Sequence, residues 1–308
     1  MDIRTKYKKL KYDYPNLVVG LGNFDGVHLG HRELIVRLVE RARQLGGVPA
    51  ILTFHPHPVA VLRPESAPLL LLTQQAKEEM IAGLGVRVIL RIPFEPSFAG
   101  LSPEAFIRDV LCAELGAVSV FVGYNYTFGH RGRGGPKTLA HFATELGYEI
   151  NIVDPVEIGG EVVSSTLVRE LLVRGRVEEA RRFLGYTPFV DGTVVTGDGR
   201  GRELGFPTAN LETDPDILVP ANGVYAVKAQ IRGEAFSGVG NIGHRPTFVS
   251  DYAVRNIEIH LFDLSRNLYG QPVRVRFTRH LRGERKFGTV TELVRQIEFD
   301  IRQARSYE

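Results

Sequence analysis

From Asn16 to about Gly185, short apolar runs alternate with stretches of helical period, the pattern of a parallel sheet covered by helices on both faces. The spacing predicts strands over 17–21, 49–54, 87–92, 118–122 and 148–153. Between the first two, Leu34, Ile35, Leu38, Val39, Ala42 and Leu45 recur at helical spacing, and Gly46-Gly47 supplies the stop. A second helix is predicted over 74–84, ending at Gly85. Ser102 and Pro103 form an N-cap and first-turn pair for a third, which runs to Leu115 and Gly116. Further helices are predicted over 137–146, 165–174 and 177–184.

After Gly185 the texture changes to alternating β-branched residues punctuated by glycine turns, a barrel or sandwich pattern. Strands are predicted over 189–196, 208–212, 223–230, 235–239, 256–263 and 272–278. One terminal helix follows, opened by a capping box from Thr289 to Glu292 and striped by Leu293, Val294, Ile297 and Ile301. The change of texture places a boundary near 186–188, giving domains 1–186 and 187–308.

Composition adds bounds rather than identity. The chain has 308 residues, 44% apolar and 24% charged, enough for a sizeable core in two domains. Its only cysteine, Cys112, forms no intramolecular disulfide, so a cytoplasmic location is the default. The basic start from Lys6 to Lys11 has no apolar stretch behind it, and the longest aliphatic run, 69–72, is too short to span a bilayer; neither a targeting segment nor a membrane partner is expected. A formal net charge of +3 suits nucleotide substrates and gives no reason to expect nucleic acid. Oligomeric state leaves no sequence signal.

The first strand runs into a loop from Gly22 through Asn23, Phe24 and Asp25 to His28, Gly30 and His31, after which a helix begins. That is the phosphate-binding position of an open α/β sheet. Two histidines three apart can place both imidazoles on one side of a turn and stabilise charge on a nucleotide phosphate, while Gly30 lets a ligand approach the backbone. The glycine spacing differs from the dinucleotide fingerprint. The alternative is that the histidines cap the helix or face solvent. Near the end of the same domain, Ser164, Ser165 and Thr166 bring hydroxyls to a helix start, with Arg169 one turn on; this is either an anion site or a cap beside a surface arginine. His55 and His57, between prolines, read as a metal pair or as loop-shaping residues.

In the second domain, Gly197, Gly199 and Gly201 let backbone N–H groups turn toward an anion, and Arg200 and Arg202 add positive charge, without the lysine of a Walker loop. Thr208 and Asn210 alternate along a presumed strand, so their oxygens can face one Mg2+ ion. The alternative is a β-turn followed by an ordinary polar strand.

The His-x-Gly-His and Ser-Ser-Thr-x-x-Arg elements, in this order around an alternating domain, resemble the nucleotidylyltransferase superfamily. More narrowly, the segments 22–28, 53–58 and 122–129, the Pro-Thr-Ala-Asn run ending at Asn210, and the segments 238–247, 257–260, 268–270 and 281–287 are similar to the bacterial bifunctional riboflavin kinase/FAD synthetase family, over nearly the whole chain. The resemblance implies a Rossmann-like N-terminal domain that adenylylates FMN to FAD and a C-terminal six-stranded antiparallel barrel that phosphorylates riboflavin to FMN, with ATP as co-substrate of both. It implies that His28 and His31 contact ATP phosphates, that 164–169 holds the leaving pyrophosphate, and that the Asn125 loop lines the nucleotide or flavin pocket. Many members carry Asp and Phe where this chain has Asn125 and Tyr126; the amide can hydrogen-bond but cannot offset a cation. In the barrel it implies that Thr208 and Asn210 bind Mg-ATP, that Glu258 is the base for the ribityl hydroxyl, and that Arg282, Glu284 and Phe287 belong to a flap near the flavin. On the residues alone, Glu258 could equally be a solvated strand residue and 282–287 a charged loop. The chain has no tryptophan, so ring stacking on a flavin falls to Phe or Tyr.

Two rival functions fit parts of this pattern. One is a flavin- or RNA-binding regulator that keeps the folds without activity, which the retained His28, His31, Thr208, Asn210 and Glu258 argue against. The other is an N-terminal domain acting on another phosphate acceptor, such as a pantetheine or nicotinamide compound, which the family-specific loops argue against.

Overall fold

A computed structural model describes residues 1–197, 200–244, 255–264 and 266–307. By contacts the chain forms two compact units, one of Met1–Leu69 with Gln74–Ser164 and one of Leu70–Thr73 with Ser165–Glu308.

The first unit is built on six parallel strands, β1 (Asp2–Arg4), β2 (Leu17–Leu21), β3 (Val48–His55), β4 (Val88–Pro93), β5 (Ala117–Gly123) and β6 (Glu149–Val153), in the spatial order β1-β4-β3-β2-β5-β6. All five residues of β2 are buried, as a two-sided parallel sheet requires. Leu17, Val19 and Leu21 point to one face and pack in a core with Phe106, Val110 and Leu111. Gly20 points to the other, where an added Cβ would stand 2.8 Å from Leu38 and 3.2 Å from Leu34 of the Leu29–Gln44 helix. Helices therefore cover both faces. The chain winds outward from β2 through β3 to β4, then crosses back to lay β5 on the other side of β2. That reversal opens a crevice at the carboxyl ends of β2 and β5, the ligand position of such sheets.

The sequence pattern missed β1, a three-residue exposed edge strand pairing with β4, because it is too short and too polar to carry a period. The third predicted helix begins at Pro103 with Ser102 as its cap, but from Phe106 to Glu114 it winds as a π-helix. A small antiparallel hairpin, β7 (Glu157–Ile158) with β8 (Glu161–Val162), was also not anticipated.

The second unit is a closed antiparallel barrel of β9 (Phe189–Val195), β10 (Ala209–Thr213), β11 (Gly223–Ile231), β12 (Glu234–His244), β13 (Arg255–Leu261) and β14 (Pro272–Arg282), in the order β10-β13-β12-β11-β14-β9. The strands β12 and β14 outrun the predicted 235–239 and 272–278, because glycines and charged residues interrupt the alternation while pairing continues, in β14 through two register shifts against β11. The terminal helix, Val290–Arg305, is capped by Thr289, whose side chain accepts from the Glu292 N–H. Ile301 and Ala304 bring it onto Ala226 and Phe262 of the barrel unit. Its most buried residue is a charged one, Asp300, inside the stripe the pattern read as apolar.

The compact division falls earlier than the texture change near 186. Helices Ser165–Val173 and Val177–Leu184 belong by their contacts to the barrel unit, as does the short segment Leu70–Thr73. Leu70 pairs in parallel with Ile217, and Leu71 and Leu72 are buried. Among the described residues no helix is long and apolar enough to cross a membrane.

Candidate active sites

In the first unit, the loop after β2 is bent hard. Phe24 and Val27 hold φ values of 52° and 36°, with Gly26 between them at 82°. Non-glycine residues rarely adopt this region, and clusters of such backbone belong to functional loops. The bend delivers His28 to the N-cap of the Leu29–Gln44 helix, where its Nδ1 accepts from the His31 N–H at 3.3 Å. The two rings stack at 3.6 Å between centroids and 14° between planes, and Phe24 leans on His31 at 5.2 Å. His28 is thus both cap and part of a stacked pair, and it is buried rather than solvent-facing. His31 Nδ1 is enclosed and has no partner among the described residues. Burial, with smaller contributions from His28 and Lys77, drives the His31 pKa well below its ordinary value, so the ring is neutral.

Around this pair, an added Cβ on Gly30 would meet the His28 ring at 3.3 Å and the Val163 carbonyl at 3.8 Å, so the chain leading to Ser164 passes beside the loop. Ser165 and Thr166 open the Ser165–Val173 helix and Arg169 follows one turn on; the division between the two units falls between Ser164 and Ser165. Asn125 is exposed in the turn after β5, closed by the Tyr126 N–H on the Gly123 carbonyl at 3.1 Å. Since β2 and β5 are neighbours, Asn125 and the Gly22 loop emerge at the same end of the sheet. His57 is engaged at both ring nitrogens, accepting from the Val59 N–H through Nδ1 and meeting Asn23 Nδ2 at 3.3 Å through Nε2. That is loop shaping rather than a metal pair with His55.

Sequence reasoning passed over Lys77. It lies in the Gln74–Gly83 helix, only 8% exposed, and donates to the Asn23 carbonyl at 3.3 Å. Nothing in its helical context sets it apart from a surface lysine; only the fold brings it under the loop.

In the barrel, Asn210 on β10 stands opposite Glu258 on β13, which stands opposite Asn241 on β12. Ile257 and Ile259 are buried inward, so Glu258 and its cross-strand neighbours lie on the outer face. Asn256 donates to Glu258 Oε1 at 2.7 Å. Asn210 is 7% exposed, and its Oδ1 is buried without a partner among the described residues. A Cβ on Gly197 would fall 1.9 Å from Asn210 Nδ2, so that position admits only glycine. A Cβ on Gly201 would fall 2.5 Å from the Phe206 carbonyl and 3.0 Å from Thr208 Oγ1. The Pro207 carbonyl is held by His260 Nδ1 at 2.9 Å, a contact the sequence did not announce. Gly199, the motif positions 245–247 and the side chains of Arg200 and Arg202 lie outside the described residues.

The flap residues are committed partly to structure. Arg282 makes a bidentate pair with buried Asp300, its Nη2 2.8 Å and its Nε 3.0 Å from Oδ2, and Gln296 adds a bond to Oδ1 at 2.9 Å. Glu284 accepts from Asn222 at 3.0 Å. Phe287 lies 5.8 Å from the Arg282 guanidinium and 5.6 Å from that of Arg285.

A doubly wound nucleotide-type unit with a histidine-bearing loop at its switch point, followed by a closed barrel with an oxygen-lined outer face, defines a two-domain phosphate-transferring enzyme. The FAD synthetase family model matches residues 11–167, and the riboflavin kinase model matches 184–308. The bifunctional riboflavin kinase/FMN adenylyltransferase of Listeria monocytogenes is 39% identical over 95% of this chain and 92% of its own. That of Bacillus subtilis is 38% identical over 97% and 94%. The crystal structure of a macrolide-efflux protein from Streptococcus pneumoniae superposes with a TM-score of 0.87 at 31% identity, covering 97% of this chain and 98% of its own. The chain belongs to the bifunctional riboflavin kinase/FMN adenylyltransferase family, with the FAD synthetase domain N-terminal and the riboflavin kinase domain C-terminal.

Proposed function

We propose that residues 1–186 transfer AMP from ATP to FMN at the Gly22–His31 loop, and that residues 187–308 phosphorylate riboflavin on the barrel face bearing Asn210 and Glu258. The supporting observation is a buried polar atom in each site that has no partner among the described residues, His31 Nδ1 in one and Asn210 Oδ1 in the other. Buried polar groups are otherwise nearly always paired, so each is a place where a ligand completes the structure.

In the first site, His28 and His31 steady charge on the ATP phosphates as the FMN phosphate attacks, with Gly22, Asn23, Phe24, Asp25 and Gly30 shaping the loop. The hydroxyls of Ser164, Ser165 and Thr166, with Arg169, take the departing pyrophosphate, and Asn125 lines the pocket. In the second, the turn from Gly197 to Arg202 cradles phosphate, Glu258 accepts the ribityl proton, and Arg282, Glu284 and Phe287 border the flavin. An amide and a hydroxyl oxygen suit a hard cation, so Thr208 and Asn210 fit Mg2+. When bound, the ion offsets phosphate charge. The soluble substrates and single cysteine favour the cytoplasm.

Incubating the purified chain with riboflavin, ATP and magnesium, then separating the flavins, should yield FMN followed by FAD, and excess EDTA should stop both steps. Neither flavin forming would overturn the reading; turnover undiminished in EDTA would remove the metal from it.

A further inference from the structure

Lys77 is a buried cation with no part in the chemistry assigned above. Its Nζ lies 3.3 Å from the Asn23 carbonyl and 3.5 Å from Thr53 Oγ1, and the Thr53 hydroxyl itself donates to the same carbonyl at 3.1 Å. Two donors from two different elements thus converge on one backbone oxygen. From the other side, Asn23 Nδ2 meets His57 Nε2. Asn23 immediately precedes Phe24, the first left-handed residue of the bent loop. A strained backbone persists only where its surroundings over-determine it. Burial lowers the Lys77 pKa, while buried Asp25, in the same loop, and buried Glu78 favour the charged form. Glu78 is also taken by Arg91 at 3.1 Å, which leaves Asp25 as the loop's own counter-charge to Lys77.

We propose that Lys77 is a positioning residue for adenylyl transfer: with Thr53 it fixes the Asn23 carbonyl and so holds the Gly22–Val27 bend in the shape that presents His28 and His31 to the nucleotide. The inference rests on the reading of that loop as the adenylyl-transfer site. A purely structural lysine behaves differently. Removing one partner of a buried charge pair destabilises the fold by leaving the other charge uncompensated, so Lys77→Met is compared with Lys77→Arg, which keeps the cation, to separate holding the fold from holding the loop.

The test assays wild type, Lys77→Met, Lys77→Arg, Thr53→Val and His28→Ala as full chains, on FMN and, as an internal control, on riboflavin. Lys77→Met should lower kcat for FMN adenylylation by about 100-fold, the scale on which a misplacement of roughly 1 Å acts, with a much smaller change in KM for ATP. Phosphorylation of riboflavin by the same molecules should be unaltered. Lys77→Arg, which keeps the cation, should recover at least about tenfold of the loss, and Thr53→Val, which removes only the second donor, should cost about tenfold. Should Lys77→Met fail to fold, Thr53→Val still decides, since wild-type kcat in that variant would overturn the proposal. A folded Lys77→Met within about threefold of wild type would also overturn it, provided His28→Ala is impaired. Were His28→Ala itself fully active, the fault would lie with the site assignment rather than with Lys77.

Discussion

His28 and His31 occupy one turn and one stack, yet they are chemically unequal. His28 already spends Nδ1 on the helix cap, whereas His31 keeps an enclosed, unpartnered nitrogen. Removing the His28 ring deletes a preorganised donor together with half the stack. His28→Ala should therefore lower FMN adenylylation by about two to three orders of magnitude while riboflavin phosphorylation survives. Glu258→Gln should do the reverse, costing about two to four orders in phosphorylation and sparing FMN adenylylation. Assaying each folded variant on both substrates checks this, and crossed losses would refute separate sites. His31 also carries a pH signature. Its folded pKa is depressed, so below the ordinary histidine value of about 6.5 the unfolded chain takes up a proton that the folded one refuses, and stability falls as pH is lowered through that value. Urea unfolding of the ligand-free protein from pH 8 to 5 should show this slope, weakened in His31→Gln; equal slopes would mean the buried ring is not the cause.

Elements were legible where period and punctuation agreed. The runs that became β2, β3 and β5, the caps at Ser102 and Thr289, and the stop after Gln44 all followed from local chemistry. The His-x-Gly-His loop was legible too, because its spacing implies one turn. What could not be read were pairings made over long separations, such as Lys77 with Asn23, His260 with Pro207, and Arg282 with Asp300. Each joins residues that look ordinary in their own elements. The last of these ties the end of β14 to the terminal helix through a carboxylate 3% exposed. Asp300→Ala would leave the Arg282 guanidinium, itself only 22% exposed, without its partner. A loss of about 3 kcal/mol in barrel stability is expected, measurable by thermal unfolding, together with weaker riboflavin binding if the flap loses its anchor. An unchanged melting temperature would show that the pair is ornamental.

At the scale of the whole molecule, the chain is less modular than its change of texture implied. The barrel unit draws in Ser165–Val173 and Val177–Leu184, whose Val168, Val177, Ala180 and Phe183 are buried, and it also recruits Leu70–Thr73 from far upstream. The 187–308 fragment should still phosphorylate riboflavin, since the proposed site residues lie within it. A 165–308 fragment should melt on the order of 10 °C higher, because it restores the buried faces of both helices. Equal melting temperatures would mean those helices contribute nothing to the barrel.

The recruited segment has a consequence for anyone who would divide this gene. Leu70 donates its N–H to Asp216 and accepts from Leu218, so four residues of the upstream sequence are stitched into the downstream unit, while their neighbours on both sides are not. The polypeptide therefore changes unit three times, before Leu70, after Thr73 and before Ser165. A single protease nick at 164–165 severs only one of these passages. The resulting pieces should migrate together on a sizing column and part only in denaturant, because one half leaves with a stitch that belongs to the other.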